Sequence, residues 1–427
     1  MSDCTGECKG RILILVENLP VPMDRRVWQE ALALTEAGYK VSVISPRPPD
    51  EPEYMVLQGV HLYRYPTPPP TRSVFSFFYE FIYCWLHTWR LTRRVEREQG
   101  IDVIHTCNPP DTFWTIARWY KRKGVKFVYD QHDLCPELYE SRFGRRGLLY
   151  KGLLWLEKQT YRTADGVIAP NESYRRVAME RGGIPPERIT VVRSGPIASH
   201  FRRVEPDPAL KRGKRYLGVY LGVMGAQDGV DYLLRAIHHV VYTFGHTDTH
   251  FALIGGGDMY PDLVQMCHDL HLDEFVEFTG RIPDEELLRY FSTADIALAP
   301  DPFNPLNDVS TMNKVIEYMA VGLPIVSFDL KESRYSAQDA AVYVPNNDEK
   351  AFAQAIIDLL NDPERRAQMG EFGRKRFLEC LNWEHSKGKL IEFYDRLLHP
   401  EEAAVFSASK RPDLSDSPDP SERGLSQ

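Results

Sequence analysis

Four polar residues in the C-terminal half of the chain have types and a spacing that suit a phosphorylated ligand. Ser310, Asn313, Lys314 and Glu317 recur at intervals that place their side chains along one side of a helix. A hydroxyl beside the free N–H groups of a helix N-terminus suits a phosphate, a lysine adds positive charge, and a glutamate accepts hydrogen bonds from sugar hydroxyls. This order predicts a nucleotide-sugar site, and a solvated face of an amphipathic helix is the alternative.

The surrounding sequence predicts the elements that would position this helix. Its other side is apolar and is expected to face a core, and it consists of Met312, Val315, Ile316, Met319 and Ala320. Short apolar strands are predicted on either side of the helix, at 296–299 and 324–327. Parallel α/β sheets bind ligands at helix N-termini beyond the carboxyl ends of their strands, and this favours the ligand interpretation.

The 427 residues exceed the usual size of one domain, so two domains are expected. Apolar strand patterns alternate with helix-length segments, as in doubly wound parallel sheets. They lie at 12–17, 41–45, 103–106, 127–130, 166–169, 189–193, 216–223, 249–254, 275–279, 295–299, 324–327 and 341–344. We predict a flexible N-terminus at 1–9, domains at 10–197 and 198–381, a helix at 382–399 that packs back on the first domain, and a disordered tail at 400–427.

Composition excludes several function classes. The net charge of −8 argues against general nucleic-acid binding. The seven cysteines are scattered without the paired spacing of a metal site, so we expect no bound metal and a reducing, cytoplasmic location. An apolar run of about 18 residues and a leader before the first strand are both lacking, so we expect neither a membrane span nor export.

An aromatic segment followed by arginines has two interpretations. Residues 74–89 are dense in aromatic side chains, and arginines follow up to position 97. Aromatic rings beside arginines suit the headgroup boundary, so the segment could attach the protein peripherally to an anionic inner face of the cell membrane. The residues expected to insert are Phe77, Phe78, Phe81, Trp85 and Trp89. The alternative is a helix packed on the first sheet with one exposed side.

Five segments together carry a family resemblance. In the second predicted domain, 251–258, 278–282 and 317–326 read FALIGGGD, FTGRI and EYMAVGLPIV. In the first, 17–31 and 130–133 read ENLPVPMDRRVWQEA and DQHD. Over residues 10–398 the chain resembles the GT-B glycosyltransferases, and in detail their retaining family-4 (group 1) members. The resemblance implies an α/β fold of two Rossmann-like, doubly wound domains that face a cleft.

The resemblance also implies a donor site for a UDP- or GDP-linked sugar, held mainly by the second domain. Glu317 matches the glutamate that binds the ribose hydroxyls. Ser310 and Thr311 match the loop that meets the diphosphate. The segment beside the base corresponds to Arg281 and Ile282. The other donor positions are Gly222, Gly225, Asn313, Lys314 and the run Gly255, Gly256 and Gly257, where the absence of side chains is expected to let the nucleotide approach.

Two departures from the family pattern affect this site. Val309 stands where many relatives have a second glutamate, with Asp308 beside it. The loop at 222–231 lacks the arginine and lysine that relatives often present to the diphosphate. We expect Lys314 to restore one positive charge there and to act in catalysis through it.

The first domain is expected to contribute the acceptor side and one catalytic group. The acceptor-side residues are Asp24, Arg25, Arg26, Asp133 and Glu137, although surface ion pairs are the favoured interpretation of the two arginines. In the resembled family the anomeric configuration is retained and the leaving phosphate is thought to take the acceptor proton. His132 would then contact the donor sugar or the developing charge. Its alternative role is a strand-end histidine bonded to a neighbouring turn.

The expected function is a retaining, metal-independent and cofactor-free glycosyltransferase that acts by positioning and by stabilising the departing nucleotide. The acceptor would be a glycan or a lipid-linked molecule in cell-surface polysaccharide or glycolipid synthesis. Three alternatives stay open. They are a non-catalytic subunit that binds a nucleotide sugar or a partner enzyme, a nucleotide-sugar epimerase of GT-B fold, and an enzyme that glycosylates small molecules without contact with membranes.

Overall fold

The computed structural model describes residues 8–68 and 74–401, with side chains from residue 79 onward in the second range. The parts of the predicted N-terminus and tail at 1–7 and 402–427 lie outside the described residues, as do the side chains of Phe77 and Phe78. The described chain forms two sheets, one of eight strands and one of six. The predicted α/β class with two parallel-sheet domains is confirmed.

The first sheet has the strand order β3-β4-β2-β1-β5-β6-β7-β8. Its strands are β1 (Arg11–Leu15), β2 (Lys40–Pro46), β3 (Tyr54–Leu57), β4 (Val60–Tyr65), β5 (Val103–Cys107), β6 (Lys126–Asp130), β7 (Gly166–Ala169) and β8 (Ile189–Val191). The helices of this half are α1 (Arg25–Glu36), α2 (Val74–Glu98), α3 (Trp114–Lys121), α4 (Cys135–Phe143), α5 (Leu148–Thr163) and α6 (Glu172–Glu180).

The strand predictions missed β3 and β4. These two strands pair antiparallel at the edge of an otherwise parallel sheet. The apolar pattern of β4 is interrupted by Arg64, whose guanidinium is nevertheless buried. It donates hydrogen bonds to the Glu51 carboxylate and to the backbone carbonyl of Val21. A buried arginine that is satisfied by distant partners leaves no strand signal in the local sequence.

The second sheet is parallel throughout, with the order β11-β10-β9-β12-β13-β14. Its strands are β9 (Tyr216–Val223), β10 (Thr249–Gly256), β11 (Val276–Gly280), β12 (Ile296–Ala299), β13 (Ile325–Phe328) and β14 (Ala341–Val344). The helices are α7 (Val230–His238), α8 (Tyr260–Asp269), α9 (Asp284–Thr293), α10 (Asn313–Ala320), α11 (Lys331–Ala337), α12 (Glu349–Asn361), α13 (Pro363–Arg376) and α14 (Trp383–Leu398).

The last helix crosses from the second half of the chain to the first. Helix α14 packs against α1 and β8. Leu390, Phe393 and Tyr394 are buried there in one apolar cluster with β1 and α1. The side chain of Asn382 caps the helix, because it accepts a hydrogen bond from the N–H of Glu384. The buried surface of α14 thus stabilises the first domain.

Helix α2 packs on the other face of the first sheet, in an apolar cluster shared with α3 and α5. Trp85 and Trp89 are half-buried, and their rings stack on each other at 5.8 Å. Trp85 also donates a hydrogen bond to Thr115 of α3. Both indoles therefore contact the neighbouring helix or each other with part of their surface, and their insertion into a membrane stays a prediction. Among the described helices, none combines the length and the apolar character that crossing a bilayer requires.

The carboxyl ends of the two sheets face each other. Residues from the loop after β12 reach the first domain, where Leu306 is buried in the core formed with α3 and α6. Buried side chains of the two domains also pair with each other near these strand ends. Ser173 donates a hydrogen bond to Glu332 at 2.7 Å, and Arg193 lies 3.5 Å from the same carboxylate. Ligand sites of parallel sheets lie at such strand ends.

Candidate functional site

His132 follows β6 and is fixed by charged and polar neighbours. Its Nε2 lies 2.6 Å from the Asp130 carboxylate. The backbone N–H of His132 donates to the Asn108 side chain, which comes from the end of β5. Its Nδ1 has no hydrogen-bond partner among the described residues, and the side chain is 16% exposed. The ring is therefore held at one nitrogen and open to the cleft at the other.

Arg26 holds the other side of this cluster. Its guanidinium donates to Asp130, to Ser194 and to the carbonyl of Val192, and it is nearly buried. The interpretation of Arg26 as a surface residue is wrong, because α1 points it under the strand ends. Arg25 does lie on the surface, at 61% exposed, and pairs with Asp284 across the cleft.

The electrostatics of the cluster favour a charged histidine. Burial disfavours the imidazolium, but the Asp130 carboxylate outweighs it and raises the pKa of His132. Burial opposes ionisation of Asp130 too, yet Arg26 and His132 hold its pKa well below the ordinary value. Burial beside Asp130 raises the pKa of Glu30 to about 8. The cluster therefore favours the positively charged form of the ring that faces the cleft.

A metal would fit this cluster poorly. Within the described residues, His105, Cys107 and Asp130 form one buried group whose donor atoms lie within 4.8 Å of one another. The Asp130 carboxylate is already bonded to Arg26 and His132. A cation there would lie next to a guanidinium, and two positive charges without added carboxylates repel in a buried site. The arrangement is that of a hydrogen-bonded ion cluster.

The other predicted acceptor-side residues have structural partners. Asp24 caps α1 by accepting from the N–H of Val27 at 3.1 Å. Glu137 pairs with Arg181 of α6. Asp133 is half-buried, and burial raises the pKa of its carboxyl group. Of these three, Asp133 alone forms no side-chain hydrogen bond or ion pair with the described residues, and it follows His132 directly.

The predicted glycines lie at the ends of β9 and β10, but packing explains two of them. A Cβ on Gly255, whose φ is +134°, would stand 1.9 Å from the carbonyl oxygen of Gly222. On Gly257 it would stand 2.7 Å from the carbonyl oxygen of Met224. Only Gly256 of the run faces open space. Room for the nucleotide stays a prediction for Gly256, while Gly255 and Gly257 allow the two strand-end loops to touch.

The loop before α7 has its own internal bond. The backbone N–H of Gly225 donates to the Asp228 carboxylate at 2.9 Å. A Cβ on Gly222 would meet the Tyr220 hydroxyl at 2.7 Å and Cε of Lys314 at 3.2 Å. This places the stem of Lys314 directly beneath the loop.

Lys314 is buried, contrary to the expectation of an exposed polar stripe. Its Nζ lies 2.6 Å from the Asp301 carboxylate and 4.8 Å from the centre of the Tyr220 ring. Burial opposes its charge, but Asp301 and Asp228 raise the pKa of Lys314. Its positive charge is therefore retained beneath the ends of β9 and β12. The second oxygen of Asp301 is buried without a hydrogen-bond partner in the described chain.

Ser310 and Thr311 precede α10, which begins at Asn313. The predicted polar residues Ser310, Asn313, Lys314 and Glu317 therefore do not share one helix. The hydroxyls of Ser310 and Thr311 contact the first domain. Asn171 donates to the Thr311 hydroxyl at 3.0 Å, and the Tyr174 and Ser310 hydroxyls are 3.3 Å apart. A diphosphate at this place would meet backbone N–H groups of the loop, because the side chains have partners already.

Glu317 is the carboxylate of α10 that faces the cleft. It is 16% exposed and its carboxylate accepts no hydrogen bond from the described residues, and its nearest cation is Arg25 at 3.7 Å. Burial raises the pKa of Glu317 to about 7. Asn313 at the start of the helix is exposed, as is Arg281 after β11, while Ile282 is half-buried. A carboxylate with open acceptor positions beside exposed polar groups suits a ligand rich in hydroxyls.

The position of the missing second glutamate is filled by contacts between the domains. Val309 packs against the core of the first domain, and its carbonyl accepts from Asn171. Asp308 does not replace the missing carboxylate in the cleft, since it caps α11 by accepting from the N–H of Lys331. A donor bound in the cleft would therefore meet no carboxylate from position 308 or 309.

Sequence reasoning missed several residues of the site, namely Glu30, His105, Asn108, Asp130, Asn171, Arg193 and Asp301. Most are partners of predicted residues rather than ligand groups themselves. The spacing of Arg26 and Glu30 is a helical i, i+4 pair and was a usable signal. The contact of Lys314 with Asp301 joins separate elements and leaves no pattern in the sequence.

Comparisons with known proteins identify the family of this chain. Residues 23–195 match the model of Glycosyltransferase Family 4, and residues 215–362 match that of Glycosyl transferases group 1. A GDP-mannose-dependent alpha-(1-6)-phosphatidylinositol monomannoside mannosyltransferase of Mycolicibacterium smegmatis is 32% identical over 203 residues, which are 44% of this chain and 52% of that protein.

Two solved structures share the whole fold. Sucrose-phosphate synthase from Thermosynechococcus elongatus superposes with a TM-score of 0.73 at 19% identity, over 93% of this chain and 100% of that one. Anabaena HepE, solved in complex with UDP and glucose, has a TM-score of 0.68 at 14% identity, over 90% of this chain and 99% of that one. Likeness at these identities establishes the two-domain architecture.

Proposed function

This chain is a group 1 glycosyltransferase of GT-B fold, and we propose that it moves a sugar from a nucleotide diphosphate sugar to a glycan or lipid-linked acceptor. The donor rests mainly on the second domain. The acceptor enters from the side of Arg25 and Asp133. Cell-surface polysaccharide or glycolipid synthesis is the process in which such a product belongs.

One observation carries the donor assignment. The Glu317 carboxylate faces the cleft and accepts no hydrogen bond from any residue that the structure describes. A partly buried carboxylate without donors costs free energy, and two ribose hydroxyls would supply them. The resembled families place the ribose at this position. The relative named as GDP-mannose-dependent and the HepE structure with UDP support a nucleotide-linked donor, with the base left open between guanine and uracil.

The proposed diphosphate position lies at the loop before α10. Backbone N–H groups there and the N-terminus of α10 favour an anion. Lys314 contributes positive potential from beneath, although its direct hydrogen bond goes to Asp301. This arrangement supplies positive potential to the diphosphate without a divalent cation, and we therefore propose a metal-independent reaction.

In the proposed reaction the sugar keeps its anomeric configuration. The acceptor hydroxyl attacks C1 from the side on which the nucleotide leaves, and the departing β-phosphate oxygen takes the acceptor proton. Nδ1–H of a charged His132 donates a hydrogen bond to a hydroxyl of the donor sugar or to the negative charge that develops on the departing diphosphate. Positioning of the two substrates accounts for the rest of the rate.

A non-catalytic subunit is the second candidate, because Val309 and the loop with Gln227 lack groups that relatives use. Such a subunit would bind the nucleotide sugar and never release free nucleotide.

A panel of UDP- and GDP-linked sugars tests both candidates. Thermal shift reports which donor the native protein binds, since a ligand bound only by the folded state raises its stability. Release of nucleoside diphosphate with lipid and glycan acceptors then reports turnover, and NMR of the product reports the anomeric configuration. Stabilisation by one donor with retained configuration supports the proposal. Binding without release with any acceptor favours the subunit, and an inverted product or a requirement for metal overturns the mechanism.

A further inference from the structure

Helix α2 carries one continuous exposed stripe that changes character along its length. Tyr79, Ile82 and Leu86 are all more than half exposed. Arg90, Arg93 and Arg97 continue the same stripe and are exposed as well. Because these positions differ by steps of three or four, they share one side of the helix over about 27 Å. The first half of the stripe is therefore apolar and the second half cationic.

Helix α5 repeats this composition. Leu148 and Trp155 are 87% and 54% exposed. Lys151, Lys158 and Arg162 lie on the same side and are exposed. None of these three cations has an ion-pair partner in the part of the chain that the structure describes. An exposed stripe of alternating apolar and basic residues is an unusual surface for a protein of net charge −8.

Ring contacts show that the two stripes belong to one face. Trp89 of α2 meets Trp119 of α3 edge to face at 6.0 Å, and Trp114 of α3 meets Trp155 of α5 at 6.1 Å. All three helices cover the same side of the first sheet. Their outward sides therefore form one surface, defined here as the α2–α3–α5 face.

A pocket of about 450 Å³ lies at the cationic end of this face, between α2 and α3. Trp89, Trp119, Arg93 and Arg97 line it, together with a Lys123–Glu96 ion pair. The Glu96 carboxylate is occupied, because it also accepts from the Tyr120 hydroxyl. Arg93 and Arg97 have no carboxylate partner within the described ranges. Nε of Arg97 donates to the backbone carbonyl of Arg93, and the remaining N–H groups of the two guanidinium groups form no hydrogen bond within the described ranges. The pocket thus offers guanidinium donors between aromatic rings, which suits a phosphate at an apolar boundary.

We propose that the α2–α3–α5 face docks on an anionic membrane. The exposed side chains at the start of α2 and on α5 enter the outer acyl region, and the arginines at the end of α2 meet lipid phosphates. A nucleic acid would use the cations but gives no reason for Ile82, Leu86 and Leu148 to be exposed. The surface lies away from the predicted donor residues, so the proposal does not depend on the identity of the donor.

Co-sedimentation of the full chain with vesicles tests this proposal. The protein should bind vesicles that contain phosphatidylglycerol more strongly than pure phosphatidylcholine vesicles, and salt should weaken the binding. Arg93→Glu/Arg97→Glu and Ile82→Ser/Leu86→Ser should each reduce the partition coefficient at least about tenfold. Lys350→Glu/Arg365→Glu, with the same charge change on exposed residues of α12 and α13, should bind like the wild type.

Nucleoside diphosphate affinity of the same variants separates this proposal from the proposed function. It should stay unchanged, since the substitutions lie outside the cleft, and it also shows that the variants are folded. The proposal is overturned if the wild type fails to bind anionic vesicles at low salt, if neutral vesicles bind equally well, or if the control variant loses binding as much as the α2 variants. A docking protein as the real partner would give the first of these outcomes.

Discussion

Single residues of the cleft are held by partners that lie far away in the sequence. His132 is fixed by the Asp130 carboxylate and by the Asn108 side chain, and Arg26 from the first helix binds the same Asp130 carboxylate. This holds the open Nδ1 of the ring toward the cleft, and Asp130 raises the pKa of the ring above its ordinary value. A fixed cationic donor stabilises negative charge without reorganising during the reaction.

Replacing His132 by alanine should lower turnover at least tenfold, which corresponds to about 1.4 kcal/mol of transition-state stabilisation. Affinity for the nucleoside diphosphate should change little, because the nucleotide rests mainly on the other domain. Both quantities are measured on the same sample, and His268→Ala, at an exposed histidine of α8, serves as the control. A loss of affinity with unchanged turnover at saturation would make His132 a ground-state contact.

The role of Asp130 is tested through the pH profile. Asp130→Asn removes the charge that raises the pKa of His132, so the alkaline fall in turnover should begin at lower pH. A variant that binds nucleoside diphosphate normally but keeps the wild-type pH profile would contradict a charged His132.

Among the elements, helix α10 is anchored by polar groups as well as by its apolar side. The Tyr318 hydroxyl accepts from the N–H of Leu221 and donates to the carbonyl of Leu298, so it joins β9 and β12. Lys314 adds an ion pair with Asp301 in the loop after β12. The start of the helix is thereby fixed at the strand ends where the ligand is proposed to bind.

Lys314→Ala should destabilise the protein by about 3–5 kcal/mol, because it leaves the buried Asp301 carboxylate without its cation. Asp301→Asn/Lys314→Met removes both charges and should recover most of that loss. Urea unfolding of the wild type and both variants measures these free energies. Similar stability of Lys314→Ala and the wild type would show that the ion pair contributes nothing.

The folded double variant also tests the electrostatic role of Lys314. It should bind nucleoside diphosphate at least about tenfold more weakly than the wild type, with nucleoside affinity unchanged, since only the diphosphate presents the charge. Equal losses for both ligands would remove Lys314 from the phosphate site.

The elements were more predictable than their contacts. Every predicted strand has a counterpart, because buried parallel strands such as β1 and β12 are short apolar runs. The side chains of the α10 segment were harder to predict. The position at which the helix starts depends on the loop 304–311, and the burial of Lys314 depends on Asp301. Helix α2 shows the same limit. Its aromatic content was visible, but which rings face α3 follows only from packing.

For the whole molecule, Glu17, Glu317 and His132 are among the titrating groups that make stability fall as the pH rises. Burial raises the pKa of Glu17 to about 8 and that of Glu317 to about 7. The unfolded chain releases these protons above about pH 4.5, so the folded state binds more protons between there and pH 8. His132, whose folded pKa is raised, contributes stability below its unfolded pKa that is lost as the pH rises through the folded one.

The free energy of unfolding of the ligand-free protein should therefore fall as pH rises from 5.5 to 8.5, by an amount on the order of 3 kcal/mol. Urea titrations at three pH values across this range measure it, at constant ionic strength. Glu317→Gln should flatten the curve. The amide does not titrate, so position 317 no longer binds a proton in the folded state that the unfolded chain releases. Stability that rises with pH would contradict the assigned directions.

The cleft between the domains is the central claim for the whole molecule, and Glu317 tests it most directly. The measurement is a calorimetric titration of UDP and of GDP into the wild type, Glu317→Gln and the control Glu285→Gln, an exposed carboxylate of α9. One nucleotide should bind the wild type and the control equally. Glu317→Gln should lose about tenfold to a hundredfold, or roughly 1.5–3 kcal/mol, with its fold intact. Unchanged affinity in the folded Glu317→Gln variant, or no binding of either nucleotide to the wild type, would contradict the proposed donor site.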